Sequence, residues 1–91
     1  PYCASKAALN CMTQSLARAF GPGVRVNAVA PGPILTRWLA GREAHVAKYL
    51  ESAPLGRAAD PDDIADAVVY LACGTALTTG QVLVVDGGRT M

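Results

Sequence analysis

A tyrosine and a lysine stand four residues apart at the start of the chain, in PYCASKAALN. In a helix, residues four apart lie on one face, so the phenol of Tyr2 and the ammonium of Lys6 would be neighbours. A nearby positive charge favours the phenolate and lowers the pKa of a tyrosine from its ordinary value of about 10. Such a pair could exchange a proton with a carbonyl or an alcohol. By itself the spacing more often marks a surface tyrosine beside a solvated lysine, because two residue types at one spacing make a weak motif.

The second candidate site is AVAPGPILT, residues 28–36. A loop that leaves the carboxyl end of a parallel strand is where α/β proteins place their ligand sites. Gly32 would let the backbone approach a ligand closely, and the Thr36 hydroxyl could bind a phosphate or an amide. A purely structural turn is the alternative, since Pro-Gly pairs mark turns in general. The glycines of the final VDGG form no phosphate-binding loop, because no helix follows them.

Apolar periodicity places these residues on helices and strands. Apolar side chains at three- and four-residue steps predict a helix over 4–20 that ends at Gly21. The run VRVNAVA predicts a strand over 24–30. A loop is expected to start at Pro31, because proline has no N–H to give to a central strand. A short helix is predicted between Arg42 and Ser52.

The last third of the chain predicts one more helix and one more strand. Asp60 and Pro61 are typical of a helix start, and the apolar stripe that follows ends at Gly74. The continuous apolar run at 82–85 is typical of a strand covered on both faces. A strand, a helical connection and a second strand fit a right-handed parallel crossover. Because two strands make no stable parallel sheet, and because the chain has no initiator Met, we expect it to be part of a longer product whose sheet continues upstream of Pro1.

Composition excludes several classes. The chain has 91 residues and a formal net charge of +1, without a basic cluster, so nucleic-acid binding is not expected. No apolar run is long enough to span a bilayer, and no basic stretch followed by an apolar one marks a signal peptide, so a soluble, cytoplasmic protein is predicted. Cys3, Cys11 and Cys73 lack the spacing of a disulfide framework or a metal site, so no metal is expected. We expect three reduced structural thiols, since free cysteine is usually buried.

Taken together, five blocks resemble the C-terminal part of short-chain dehydrogenases/reductases in order and spacing, and 3-oxoacyl-acyl-carrier-protein reductases in particular. The blocks are Tyr2–Ala8, Arg25–Gly32, Pro54–Arg57, Pro61–Ala65 and Thr79–Gly88. The resemblance covers nearly the whole chain. It implies an α/β fold, namely the last two strands and flanking helices of a doubly wound parallel-sheet, NAD(P)-binding Rossmann fold. Residues 1–91 would then be the C-terminal segment of a single dehydrogenase domain that is incomplete at its N-terminus.

The resemblance also implies roles for individual residues. Tyr2 would be the catalytic acid/base, and Lys6 would lower its pKa and bind the nicotinamide ribose. The backbone of Ile34 would meet the nicotinamide carboxamide, and Thr36 would lie near the carboxamide or the pyrophosphate. The glycine-rich loop, the catalytic serine and the proton-relay asparagine of the family would all precede Pro1. The implied binding residues for NAD or NADP are Tyr2, Lys6, Pro31, Gly32, Ile34 and Thr36.

Two expectations about partners follow. As in the family, the complete protein would act on a small carbonyl or alcohol and form a homodimer or homotetramer through its long helix. Residues 38–53 correspond to the family's variable substrate loop, in which four side chains could contact substrate or only pack: Trp38, Leu39, His45 and Tyr49. The alternative is a non-catalytic fragment, an oligomerisation or interaction module without the cofactor-binding half. The isolated chain is expected to be inactive.

Overall fold

The computed structural model describes residues 1–91, apart from the side chain of Trp38. The chain folds into helices on both sides of a short parallel sheet. In chain order the elements are α1 (Tyr2–Phe20), β1 (Ala28–Pro31), a 3-10 turn (Arg37–Leu39), α2 (Glu43–Leu50), α3 (Pro61–Val69), a π-helical turn (Tyr70–Gly74) and β2 (Val82–Val85).

The two strands pair in parallel over their full length, from Ala28 opposite Val82 to Pro31 opposite Val85. The helix α3 packs against both strands. The helix α1 lies across a cleft from β1, and its Ala17 lies against Gly80 just before β2. The predicted α/β class and the parallel crossover are therefore confirmed.

The helix α1 begins at Tyr2 and ends at Phe20, which agrees with the predicted helix. Its last residue is followed by Gly21 in an extended conformation, with φ −65° and ψ 149°. Gly21 is therefore not the left-handed C-terminal glycine that commonly ends helices. The chain turns instead into an extended segment, and the Gly21 N–H still donates to the Ala17 carbonyl at 3.1 Å.

The strand β1 differs from its prediction at both ends. Residues 24–27 do not belong to the ladder, and Pro31 does. The Ala28 N–H donates to the carbonyl of Gln81, just before β2, at 2.8 Å, and the Gly32 N–H donates to the carbonyl of Val85 at 2.9 Å. Because N–H groups alternate sides along a strand, the nitrogen of Pro31 points away from β2, so its missing hydrogen costs this pair nothing. Residues 26 and 27 are tied to the segment before β2 by loop and side-chain hydrogen bonds instead.

The helix α3 starts as predicted. The Asp63 carboxylate accepts a hydrogen bond from the Asp60 N–H at 2.8 Å and pairs with the Arg57 guanidinium at 2.6 Å. The Arg57 hydrogen bond and the Asp60 N–H lower the pKa of Asp63 to about 2. The predicted helix extends to Gly74 only by changing to a π-helical turn after Val69.

A long-range contact completes that turn. The Arg25 guanidinium donates to the carbonyls of Leu71 and Ala72, both at 2.7 Å. These carbonyls lie at a helix end, where backbone acceptors lack partners within the helix. Arg25 thereby joins the segment before β1 to the π-helical turn that follows α3.

The core is small, as expected for this length. Among the described side chains, the buried ones are Thr13, Ala17, Ala53, Ala58 and Leu71. Val84 is 51% exposed, so within this chain β2 is not covered on both faces as its composition predicted. The three cysteines are free, as expected, but all are exposed, so the expectation of buried thiols is wrong. In the described part of the chain, no helix is long and apolar enough to cross a membrane.

Candidate active site

The first turns of α1 carry the tyrosine and the lysine. The Lys6 ammonium nitrogen lies over the Tyr2 ring, 5.5 Å from its centroid. A cation over an aromatic face is attracted by the ring's quadrupole, so the pair is a favourable contact as well as a near neighbour. Tyr2 is 72% exposed, so its phenol is open to a reacting molecule.

A cleft of about 540 Å³ separates the start of α1 from β1 and the loop after it. Its walls combine apolar side chains with a few polar groups, which is the usual character of a small-molecule site. It is lined by every residue of the predicted site, namely Tyr2, Lys6, Pro31, Gly32, Ile34 and Thr36. Residues far apart in sequence are thus brought to one cavity.

The loop at 31–34 is held by the ends of both strands. The Gly32 N–H donates to the Val85 carbonyl at 2.9 Å. A Cβ on Gly32 would lie 3.0 Å from both Cα and Cβ of Asp86, too close for an ordinary carbon contact. Gly32 is therefore required by the close approach of two backbones, a reason that differs from the ligand contact predicted from sequence.

Ile34 forms a parallel bridge with Ala59. The hydrogen bonds of this bridge run from the Ala59 N–H to the Pro33 carbonyl at 2.9 Å and from the Leu35 N–H to the Ala59 carbonyl at 2.8 Å. They use neither the N–H nor the carbonyl of Ile34 itself. The bridge therefore fixes the position of the Ile34 backbone while leaving its own polar groups out of the pairing.

Thr36 stands at the cleft edge in an extended conformation, and its carbonyl accepts from the Leu39 N–H at 3.0 Å. This bond opens the 3-10 turn that brings Leu39 into the cleft wall. Of the other substrate-loop candidates, His45 and Tyr49 lie outside the cleft lining, and the side chain of Trp38 lies outside the described residues.

Sequence reasoning missed two residues of α1 that line the cleft, Leu9 and Asn10. They follow Lys6 by three and four positions, which places them on the same helix face as the lysine. This spacing is the signal that could have identified them from the sequence. Leu9 adds apolar wall, and Asn10 adds an amide one turn beyond the ammonium.

The strand end opposite the loop is a fixed turn. The Asp86 carboxylate accepts from the Gly88 N–H, the Thr90 N–H and the Thr90 hydroxyl, at 2.9, 3.0 and 2.8 Å. The Thr90 hydroxyl, followed by the backbone N–H groups, holds the pKa of Asp86 below its ordinary value. Asp86 therefore stabilises the turn, and both of its carboxylate oxygens already accept hydrogen bonds.

Larger cavities lie elsewhere, one of about 780 Å³ beside 72–76 and one of about 610 Å³ between β1 and α3. Their polar lining centres on Arg25, whose guanidinium is already bound to backbone carbonyls. Neither cavity brings a phenol and an ammonium together as the smaller cleft does with Tyr2 and Lys6. Within the described residues, no group of three or more His, Cys, Asp or Glu is placed to hold a metal.

The chain is similar to known proteins over nearly its whole length. The family model described as enoyl-(acyl carrier protein) reductase matches residues 1–90. The short-chain dehydrogenase/reductase homolog YusR of Bacillus subtilis is 43% identical over 91 residues, which are 100% of this chain and 70% of that protein.

Two solved structures superpose closely. The 3-oxoacyl-[acyl-carrier protein] reductase of Brucella melitensis has a TM-score of 0.91 at 38% identity, over 99% of this chain and 35% of its own. A 4-hydroxyisoleucine dehydrogenase mutant complexed with NADH and succinate has a TM-score of 0.86 at 34% identity, over 98% and 39%. The chain therefore spans little more than a third of the length of each of these two proteins. With the family model matched over nearly all of its length, the chain belongs to the short-chain dehydrogenase/reductase family.

Proposed function

We propose that this chain is the C-terminal part of an NAD(P)-dependent oxidoreductase that interconverts a carbonyl and a secondary alcohol. The observation that carries the proposal is the single cleft lined by Tyr2, Lys6 and the 31–36 loop. Membership of a family of oxidoreductases supports it. NAD or NADP is the proposed cofactor.

The cleft residues fit the nicotinamide end of such a cofactor. The Ile34 backbone is held in place by its neighbours' bonds to Ala59, so its own N–H and carbonyl can meet a carboxamide. Thr36 adds a hydroxyl at the edge, and Leu9 adds apolar wall for a flat ring. A bound nicotinamide would supply or accept the hydride.

Tyr2 would move the proton. In reduction its phenol gives a proton to the carbonyl oxygen as that oxygen gains negative charge, and in oxidation the phenolate takes the proton from the hydroxyl. Lys6 lines the same cleft, so its ammonium would donate a hydrogen bond to the ribose of a bound cofactor.

The proposed substrate class is a 3-oxoacyl thioester, on the likeness to the Brucella melitensis reductase. The proposed parent protein is a homodimer or homotetramer, and the exposed apolar residues Met12 and Phe20 of α1 support this. A cytoplasmic location remains a prediction.

The test is Tyr2→Phe in the natural gene product that carries this sequence. We expect turnover of acetoacetyl-CoA with NADH or NADPH to fall by about 10²- to 10⁴-fold, because the acid/base group is gone. Cofactor binding, measured by fluorescence titration, should stay within about twofold, since the ring remains. Tyr70→Phe is the matched control, because Tyr70 is exposed and lies outside the cleft. Substantial residual turnover in Tyr2→Phe would sink the assignment.

A second function, an interaction module without cofactor binding, is favoured by the exposure of α1. In that helix only Thr13 and Ala17 are buried. Titrating the natural gene product with NADH and with NADPH separates the two ideas. The interaction module predicts no binding of either nucleotide, whereas the oxidoreductase predicts saturable binding of one of them.

A further inference from the structure

A stacked pair joins the C-terminal segment to α2. The guanidinium carbon of Arg89 lies 3.5 Å from the centroid of the Tyr49 ring, so the planar cation rests on the ring face. Both residues are half-buried. The Arg89 Nε is buried without a hydrogen-bond partner in the described part of the chain, whereas the guanidinium plane is covered by the Tyr49 ring.

The helix α2 needs such a contact. It has eight residues, fewer than an isolated helix requires, and none of its described side chains is buried. It follows the cleft wall directly, because the Arg42 N–H donates to the Leu39 carbonyl at 2.9 Å and the Val46 N–H to the Arg42 carbonyl at 3.0 Å. A movement of α2 is therefore transmitted to Leu39.

The turn that carries Arg89 is held by hydrogen bonds. Asp86 accepts hydrogen bonds from the N–H groups on either side of Arg89, those of Gly88 and Thr90. The Leu55 N–H donates to the Gly87 carbonyl at 3.1 Å, which ties the same turn to the segment after α2. Arg89 therefore projects from a fixed turn onto a helix that has few contacts of its own.

We propose that Arg89 is a positioning residue for substrate binding. Resting on the proposed function, this inference assigns Arg89 and Tyr49 the task of holding α2, and through it Leu39, at the substrate side of the cleft. The Gly32 and Ile34 backbones are anchored independently, by Val85 and Ala59. Loss of the stack should therefore weaken substrate binding and leave cofactor binding unchanged.

The test is a double-mutant cycle with Arg89→Ala and Tyr49→Ala in the natural gene product. We expect each variant to raise the KM for acetoacetyl-CoA by about 3- to 10-fold, as loss of a cation–π contact does, and the double variant to be no worse than either. The dissociation constant of NADH or NADPH should not change. Tyr49→Phe, the matched control, keeps the ring and should behave as the unaltered protein, while Arg89→Lys should recover part of the loss.

Amide hydrogen exchange over 43–50 provides a readout that needs no catalysis. Exchange should be faster in Arg89→Ala and Tyr49→Ala, and unchanged in Tyr49→Phe. Additive effects, equal losses of substrate and cofactor affinity, or unaltered exchange would each overturn the positioning role. If the unaltered protein turned over no substrate, the proposed function would fail, and exchange would still decide whether the stack holds α2.

Discussion

Replacing Gly32 by alanine tests the close approach between the cleft loop and the end of β2. The added Cβ would lie 3.0 Å from Asp86 Cα and Cβ, where carbon atoms ordinarily rest about 3.5–4.0 Å apart. Gly32 is not among the glycines with positive φ, so the cost is steric rather than conformational. Because the obstructing atoms belong to the Asp86 backbone and its first side-chain carbon, rotation of a flexible side chain cannot relieve the contact.

Overpacking of this kind costs about 1–3 kcal/mol, and alanine returns about 0.4–1 kcal/mol by restricting the unfolded chain. We therefore expect Gly32→Ala to lower the free energy of unfolding by about 1–2 kcal/mol, measured by urea titration of the natural gene product. The same shift should weaken NAD(P)H binding, since Gly32 lines the cleft.

Two glycine controls separate steric overlap from backbone strain as the cause of a loss of stability. Gly23→Ala places a Cβ 3.8 Å from the Phe20 carbonyl oxygen, an ordinary contact, so its stability should be unchanged or slightly raised. Gly56→Ala meets no atom within 4 Å but has φ 62°, so it isolates backbone strain of about 1–2 kcal/mol. A Gly32→Ala protein as stable as Gly23→Ala would refute the argument that two backbones meet at this point.

Two further predictions concern ion pairs and helix ends. The depressed pKa of Asp63 means that its stabilising contribution is present above the ordinary carboxyl pKa of 3.8 and is lost as pH falls towards about 2. Thermal unfolding midpoints measured across this pH range should show that Asp63→Asn lacks this part of the acid destabilisation. The control Asp62→Asn should keep it. Parallel curves of midpoint against pH for Asp63→Asn and the unaltered protein would contradict the pairing with Arg57. Arg25→Ala should lower the free energy of unfolding by about 2 kcal/mol, because it removes charge-assisted bonds to two helix-end carbonyls. Arg18→Ala is the control, because Arg18 is exposed. Equal urea midpoints for the two variants would show that the Arg25 contacts contribute nothing to the free energy of unfolding.

Local signals in the sequence predicted most of the elements. The extent of α1, the start of α3 and the apolar run of β2 depend on periodicity, on capping residues and on proline at a helix start, all of which act over a few positions. The predicted end of β1 at residue 30 was wrong. Pro31 can belong to the strand because its nitrogen faces away from β2, and the pairing of the two strands sets that direction. The π-helical turn after Val69 was likewise missed, since no short-range signal in the sequence indicates it.

The sequence by itself determined the family, through ordered blocks that surround Tyr2, Lys6 and the 31–36 loop. Tertiary structure decided that these residues line one cleft, that Leu9 and Asn10 join them, and that Gly32 is needed against Asp86. It also decided that Arg89 rests on Tyr49, forty residues earlier. The reason is physical: a helix or a turn depends on neighbours in the chain, whereas a cleft or a stacked pair depends on which segments the folded backbone brings together.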